Sequence, residues 1–234
     1  MRRILAMGGG GFSMEPDNPL LDQHVVASTG KARPRICFVP TASGDSERYL
    51  VGFYTAFSQR AEATHLPLFR RDTRALRELL ISQHAIYVGG GNTANMLAVW
   101  RAHGVDAILR EAYDAGVLLC GLSAGAICWF ESSVTDSFGG MAPLQDGLAL
   151  LPGSFCPHFD GEADRRPTYH QLVAEGALPA GYAADDGAAL FFEDGALTDI
   201  VTSRPRAAAY RVERVHDGAV ERRLDGRDLS TATR

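Results

Sequence analysis

The sequence predicts an α/β fold built on a mostly parallel, doubly wound sheet with a C-terminal antiparallel extension or hairpin. Short apolar runs alternate with amphipathic helical stretches through the first two thirds of the chain. Connections of that length between strands make parallel crossovers, with helices on both faces of the sheet. Beyond Leu150 the pattern changes to strand-like runs separated by Asp-Gly turns, which reads as antiparallel pairing.

The elements follow in order. Ile4–Met7, Ile36–Val39, Thr64–Leu68, Ala85–Val88 and Val117–Gly121 are apolar runs of strand length. Leu20–Ser28, Ser46–Arg60, Thr73–Ser82 and two stretches between Asn92 and Ala115 lie between them and read as helices. Tyr49, Leu50, Phe53 and Phe57 recur at helical spacing in the second of these, and Asn92 is a good cap for the fourth. Arg166–Gly176 is a later helix, followed by strands at Ala188–Phe192, Ile200–Thr202 and Ala209–Val215. Tyr210–Arg223 is expected to form a terminal hairpin. No Pro-, Ser- or Gly-rich linker interrupts the chain, so residues 1–234 are expected to form a single domain, with hairpin and tail from about 208.

Composition narrows the function. Of 234 residues, 46% are apolar and 22% charged, which excludes a disordered chain, and no period marks a repeat protein. A net charge of −5 with scattered arginine pairs argues against nucleic acid or an anionic membrane as the main partner. The uncharged stretch from Ala115 to Phe130 is short and glycine-containing, better suited to a buried strand and helix than to a membrane span. Cys37, Cys120, Cys128 and Cys156 form no CxxC pair; Cys37 and Cys120 stand in apolar runs as small hydrophobes, as expected of a reduced, cytoplasmic protein. His158, Asp160 and His170 lack a metal-ligand spacing, so neither metal nor other cofactor is expected.

The chemistry concentrates at Gly121-Leu-Ser-Ala-Gly125, between an apolar strand and an apolar run compatible with a helix. Small residues on either side of Ser123 allow a tight strand-to-helix turn that lifts the hydroxyl above the sheet. The N–H of Ala124 would then face a developing oxyanion. Gly89-Gly-Gly-Asn-Thr93 follows another strand and should lie on the same sheet edge, where Gly90 or Gly91 suits a second donor. Asn92 in that loop is also a candidate substrate contact. The Gly8–Gly11 run after the first strand belongs to the same edge.

A serine nucleophile needs a base and an acid to orient it. Of seven histidines, His158 stands in a loop flanked by turn formers, the setting in which a base belongs. Asp136 is the leading acid and Glu131 its competitor. An esterase of the α/β-hydrolase type would instead pair Ser123 with Asp194 or Asp199 and His216. A silent member would keep the elbow and bind an acidic peptide or metabolite without cleaving it.

Val88-Gly-Gly-Gly-Asn-Thr93, Gly121-Leu-Ser-Ala-Gly-Ala126 and Cys156-Pro-His-Phe-Asp160 together resemble the peptidase E (aspartyl dipeptidase) and cyanophycinase family of serine peptidases. The resemblance implies a flavodoxin-like fold similar to class I glutamine amidotransferases, with Ser123 where those enzymes carry a cysteine. It implies Ser123 as nucleophile, His158 as base and Asp136 as third member, with Gly90 or Gly91 and Ala124 as oxyanion donors. The implied substrate is a small peptide, typically a dipeptide with N-terminal aspartate, whose carboxylate would be read by Arg165 or Arg166. A homodimer is expected to cover the edge left by the terminal hairpin.

Overall fold

A computed structural model describes residues 1–233; Arg234, the end of the expected tail, lies outside the described residues. The strands are β1 (Arg3–Met7), β2 (Arg35–Val39), β3 (Glu62–His65), β4 (Ala85–Val88), β5 (Leu118–Leu122), β6 (Phe130–Thr135) and β7 (Ala142–Leu144). They continue as β8 (Leu151–Cys156), β9 (Gly181–Ala184), β10 (Ala188–Glu193), β11 (Ala196–Thr202), β12 (Ala209–Val215), β13 (Gly218–Leu224) and β14 (Arg227–Asp228). The helices are α1 (Gly11–Met14), α2 (Leu20–Ser28), α3 (Glu47–Phe57), α4 (Leu76–Ile81), α5 (Thr93–His103), α6 (Val105–Asp114), α7 (Ala124–Ile127) and α8 (Arg165–Glu175).

The larger sheet has eight strands in the order β14-β11-β10-β1-β5-β4-β2-β3. From β1 to β3 all pairings are parallel; β10 joins β1 antiparallel and β11 pairs antiparallel with β10. The predicted doubly wound arrangement is written in the alternation along each strand. Ile4 and Ala6, Cys37 and Val39, Ile86 and Val88 point to one face, under α4, α5 and α6. Leu5 and Met7, Ile36 and Phe38, Ala85 and Tyr87 point to the other, under α1, α2 and α3. Strands buried on both faces read as continuous apolar runs, which is why these were legible.

The second sheet departs from expectation. Six strands in the order β13-β12-β9-β8-β6-β7 make it, and only the β12–β13 hairpin was foreseen. The apolar run after Ser123 is helical for a single turn, α7, and then enters this sheet as β6. β6, β8 and β9 run parallel to one another, with α8 crossing between β8 and β9. Phe130 and Phe155 of this sheet stack at 4.9 Å, and Phe192 of the larger sheet meets Phe130 edge-on, so the two sheets share one hydrophobic cluster. All four cysteines are buried, as the apolar runs around Cys37 and Cys120 implied for those two. Among the described residues no helix is long and apolar enough to cross a membrane.

One carboxyl is buried at a cost. Asp22 on α2 is 2% exposed, and its Oδ1 has no hydrogen-bond partner among the described residues. Burial lifts its carboxyl from the ordinary 3.8 to about 7, against the pull of a Phe12 backbone hydrogen bond and the Arg60 charge. The folded protein therefore holds a proton that the unfolded chain releases, and stability falls as pH rises between those two values. Asp22→Asn is expected to raise the melting temperature at pH 8 and to have little effect near pH 4. A pH-independent difference between the two melting curves would contradict this assignment.

Candidate active site

The turn after β5 is forced by packing. A Cβ at Gly125 would fall inside the Val88 carbonyl of the neighbouring strand, and one at Gly121 would meet the carbonyls of Gly125 and Val88. Without side chains there, α7 begins directly against β4 and β5. Ser123 sits at the apex with φ 53° and ψ −117°, a backbone conformation that costs about 1–3 kcal/mol. Such strain persists because its surroundings over-determine it: the Ser123 N–H donates to the Met7 carbonyl, and its carbonyl accepts from Ala126 and Ile127.

Ser123 lines a cleft of about 510 Å³ together with His158, Gly90, Gly91, Leu122, Tyr49 and Arg48. His158 arrives from the second sheet. It follows β8, takes φ 51°, and its N–H donates to the Gly8 carbonyl of the first strand's turn at 3.2 Å. Its Nδ1 lies 2.6 Å from Oδ1 of Asp186, in the connection between β9 and β10. Burial alone would raise the Asp186 carboxyl, but the hydrogen bond from His158 and its electrostatic interactions with His158, Arg204 and Arg165 outweigh it and hold the carboxyl below its ordinary value. Asp186 is itself held in place: its N–H donates to Asp160, and Arg204 stands 3.9 Å from its other oxygen. With Nδ1 engaged, Nε2 is the imidazole nitrogen free to exchange a proton in the cleft.

The two acids expected from the sequence lie elsewhere. Asp136 is 60% exposed on its side chain and pairs with Arg165 at 3.7 Å, while Glu131 accepts the Gly153 N–H at 2.8 Å. Neither contacts His158. The physical reason is the second sheet: Glu131 on β6 and Asp136 just after it are engaged by Gly153 and Arg165, whereas the β9–β10 connection places Asp186 against His158. The signal for Asp186 was the pair Asp185-Asp186 following a small-residue strand just before Gly187, far along the chain from His158.

Other placements also shift. Gly90 donates its N–H to the Tyr49 hydroxyl at 3.0 Å, so it is already engaged. The N–H groups of Gly91 and Ala124 have no acceptor among the described residues. Asn92 is a cap, accepting from the Asn95 N–H at 2.9 Å and donating to the Ser137 carbonyl at 3.0 Å. Arg165 is 3% exposed and is bonded to Glu162 at 2.6 Å and to the Val134 carbonyl at 3.3 Å. Arg166 pairs with Glu221 and lies over the rings of Phe159 and Tyr210. Neither arginine lines the cleft; Arg48, at the start of α3, does. His216 is exposed in the β12–β13 turn beside Asp217, away from Ser123.

Comparison with known proteins places the chain in a family. The model of peptidase family S51 matches residues 4–200. The chain is 54% identical over 213 residues to "Uncharacterized peptidase YgaJ" of Bacillus subtilis (strain 168), spanning 91% of this chain and 92% of that protein. It is 30% identical over 152 residues to "Uncharacterized peptidase Lmo0363" of Listeria monocytogenes serovar 1/2a, spanning 60% of this chain and 72% of that one. The crystal structure of a peptidase from an acI-B1 actinobacterium has the same fold, with a TM-score of 0.68 at 18% identity over 97% of this chain and 95% of that one. Matched by that model over most of its length and by a relative at 54% identity across nearly the whole chain, this protein is a peptidase and belongs to peptidase family S51.

Proposed function

We propose that this protein is a serine peptidase in which Ser123, His158 and Asp186 form the catalytic triad, and that it hydrolyses small peptides, foremost dipeptides with N-terminal aspartate. The observation that carries the reading is the 2.6 Å bond between His158 and Asp186 in a cleft that also presents Ser123 on a strained turn. The Ser123 hydroxyl attacks the scissile carbonyl, and its proton passes to Nε2 of His158. The ionised Asp186 fixes the tautomer and stabilises the imidazolium until the proton is delivered to the leaving amine. The free N–H groups of Gly91 and Ala124 suit the oxyanion, each such donor being worth about 3 kcal/mol. The mechanism calls on no cofactor.

The size of the cleft supports a short substrate. Arg48 supports an acidic one: it is the permanently charged side chain lining the cleft, and it forms no ion pair among the described residues. A guanidinium with its fork free is well matched to a carboxylate.

Two measurements test this. Hydrolysis of Asp-Leu, Glu-Leu, Asn-Leu and Ala-Leu is expected to favour Asp-Leu and to vanish in Ser123→Ala, while Arg48→Ala should raise KM for Asp-Leu more than for Ala-Leu. Retained cleavage in Ser123→Ala would refute the nucleophile. In the second, Asp186→Asn is expected to lower kcat by about 10²–10⁴-fold, because the amide supports the wrong tautomer. Asp136→Asn should stay within about twofold of wild type, as befits an exposed ion pair. The reverse ranking would return the orienting role to Asp136.

A further inference from the structure

The Tyr49 hydroxyl is built into the cleft wall more firmly than a contact residue needs to be. Its ring is held between Phe12 and Phe38, with centroids 5.4 Å and 5.0 Å away. Below it lies Gly89, where a Cβ would come within 2.9 Å of the ring. This clamp aims the oxygen at the Gly90 N–H, 3.0 Å away. Gly90 in turn abuts the elbow: a Cβ on it would lie 3.3 Å from Cβ of Ser123.

The bond direction matters. Tyr49 accepts from the Gly90 N–H at 3.0 Å, which leaves its own phenolic proton to donate. A phenol oxygen that accepts is a stronger donor through its own proton. Both Tyr49 and Ser13 line the cleft.

We propose that Tyr49 is a catalytic hydrogen-bond donor of this site, its phenolic O–H stabilising the oxygen that becomes negative when Ser123 attacks. The inference rests on the serine peptidase reading above. In that step the Ser123 Oγ–carbon bond forms and the carbonyl π pair moves onto oxygen. The Ser123 proton goes to His158, and the tyrosine proton stays on Tyr49 throughout. Gly90, expected from the sequence to donate directly, thus acts one bond removed, by polarising and positioning the phenol. The competing possibility is that Tyr49 occupies a donor the oxyanion needs and so slows the enzyme. The two possibilities predict opposite signs.

The test uses an alkyl fluorophosphonate, which reacts with an activated serine through a charged, oxyanion-like transition state and needs no knowledge of the natural substrate. Wild type, Ser123→Ala and Tyr49→Phe are compared for labelling rate, with the labelled residue located by peptide mapping. Tyr49→Phe is expected to label at Ser123 roughly 10–100-fold more slowly, near the range for loss of one oxyanion donor. Its half-saturating reagent concentration should stay within about twofold, because the donor acts on the transition state rather than on binding. In hydrolysis the loss should appear in kcat, not in KM. As a shape-preserving second variant, 3-fluorotyrosine at position 49 should label at least as fast as wild type, since it is a stronger donor. A Phe variant as fast as wild type, or faster, overturns the role of Tyr49 while leaving Ser123 intact. A fluorotyrosine protein as slow as the Phe variant also overturns it. A wild type that takes no label at Ser123 overturns the serine reading, and this inference with it.

Discussion

The site exists because two sheets can meet over a turn that has no side chains. His158 and Asp186 come from the second sheet, Ser123 from the first, and the Gly8–Gly11 turn after β1 lies between them. A Cβ at Gly9 would run into the Asp186 carboxylate and come within 2.8 Å of Nδ1 of His158. Backbone bonds lock the seam: the His158 N–H to the Gly8 carbonyl, and the Gly187 N–H to the Gly9 carbonyl at 3.0 Å. His158 and Asp186 are thus registered against the first strand, which is itself hydrogen-bonded in parallel to the strand that ends at the elbow.

Close approach recurs on the other side of the serine. Gly121 and Gly125 bring α7 against β4, and this sets Ser123 beside the loop that carries Gly90 and Gly91. The aromatic cluster of Phe12, Phe38, Tyr49 and Phe53 then fixes the far wall, with Phe38 and Phe53 stacked at 4.8 Å. Rigid packing of this kind lets the backbone hold an unfavourable conformation at Ser123, since relaxing it would disturb both faces of the sheet.

The arginines illustrate how burial redirects a charged residue. Arg165 stands at the start of α8, near the base in sequence, yet its guanidinium is consumed by Glu162, Asp136 and the Val134 carbonyl under the helix. The guanidinium is buried while its two carboxylate partners reach solvent, so these contacts hold the start of α8 in place and serve structure. Its charge still reaches the site, helping to keep Asp186 ionised. Arg48, with no competing partner among the described residues, keeps its charge available in the cleft.

What the sequence by itself determined is local. Four of the parallel strands, β1, β2, β4 and β5, were legible because burial on both faces demands unbroken apolar runs, whereas the half-exposed edge strand β3 lies at Glu62–His65 rather than the expected Thr64–Leu68. The elbow was legible because a strand-to-helix turn over a neighbouring strand demands small residues at Gly121 and Gly125. Ser123, and His158 in its turn-rich loop, follow from those local demands. Tertiary structure alone decided the second sheet, whose β6 to β9 are short, mix serine, threonine and glycine with apolar residues, and therefore lack a clear period. The chain leaving that sheet engages Asp136 with Arg165 and brings Asp186 to His158, a choice no spacing along the chain encodes. The pairing of Gly90 with Tyr49 belongs to the same category, because it depends on how α3 lies across the sheet edge rather than on either residue's neighbours.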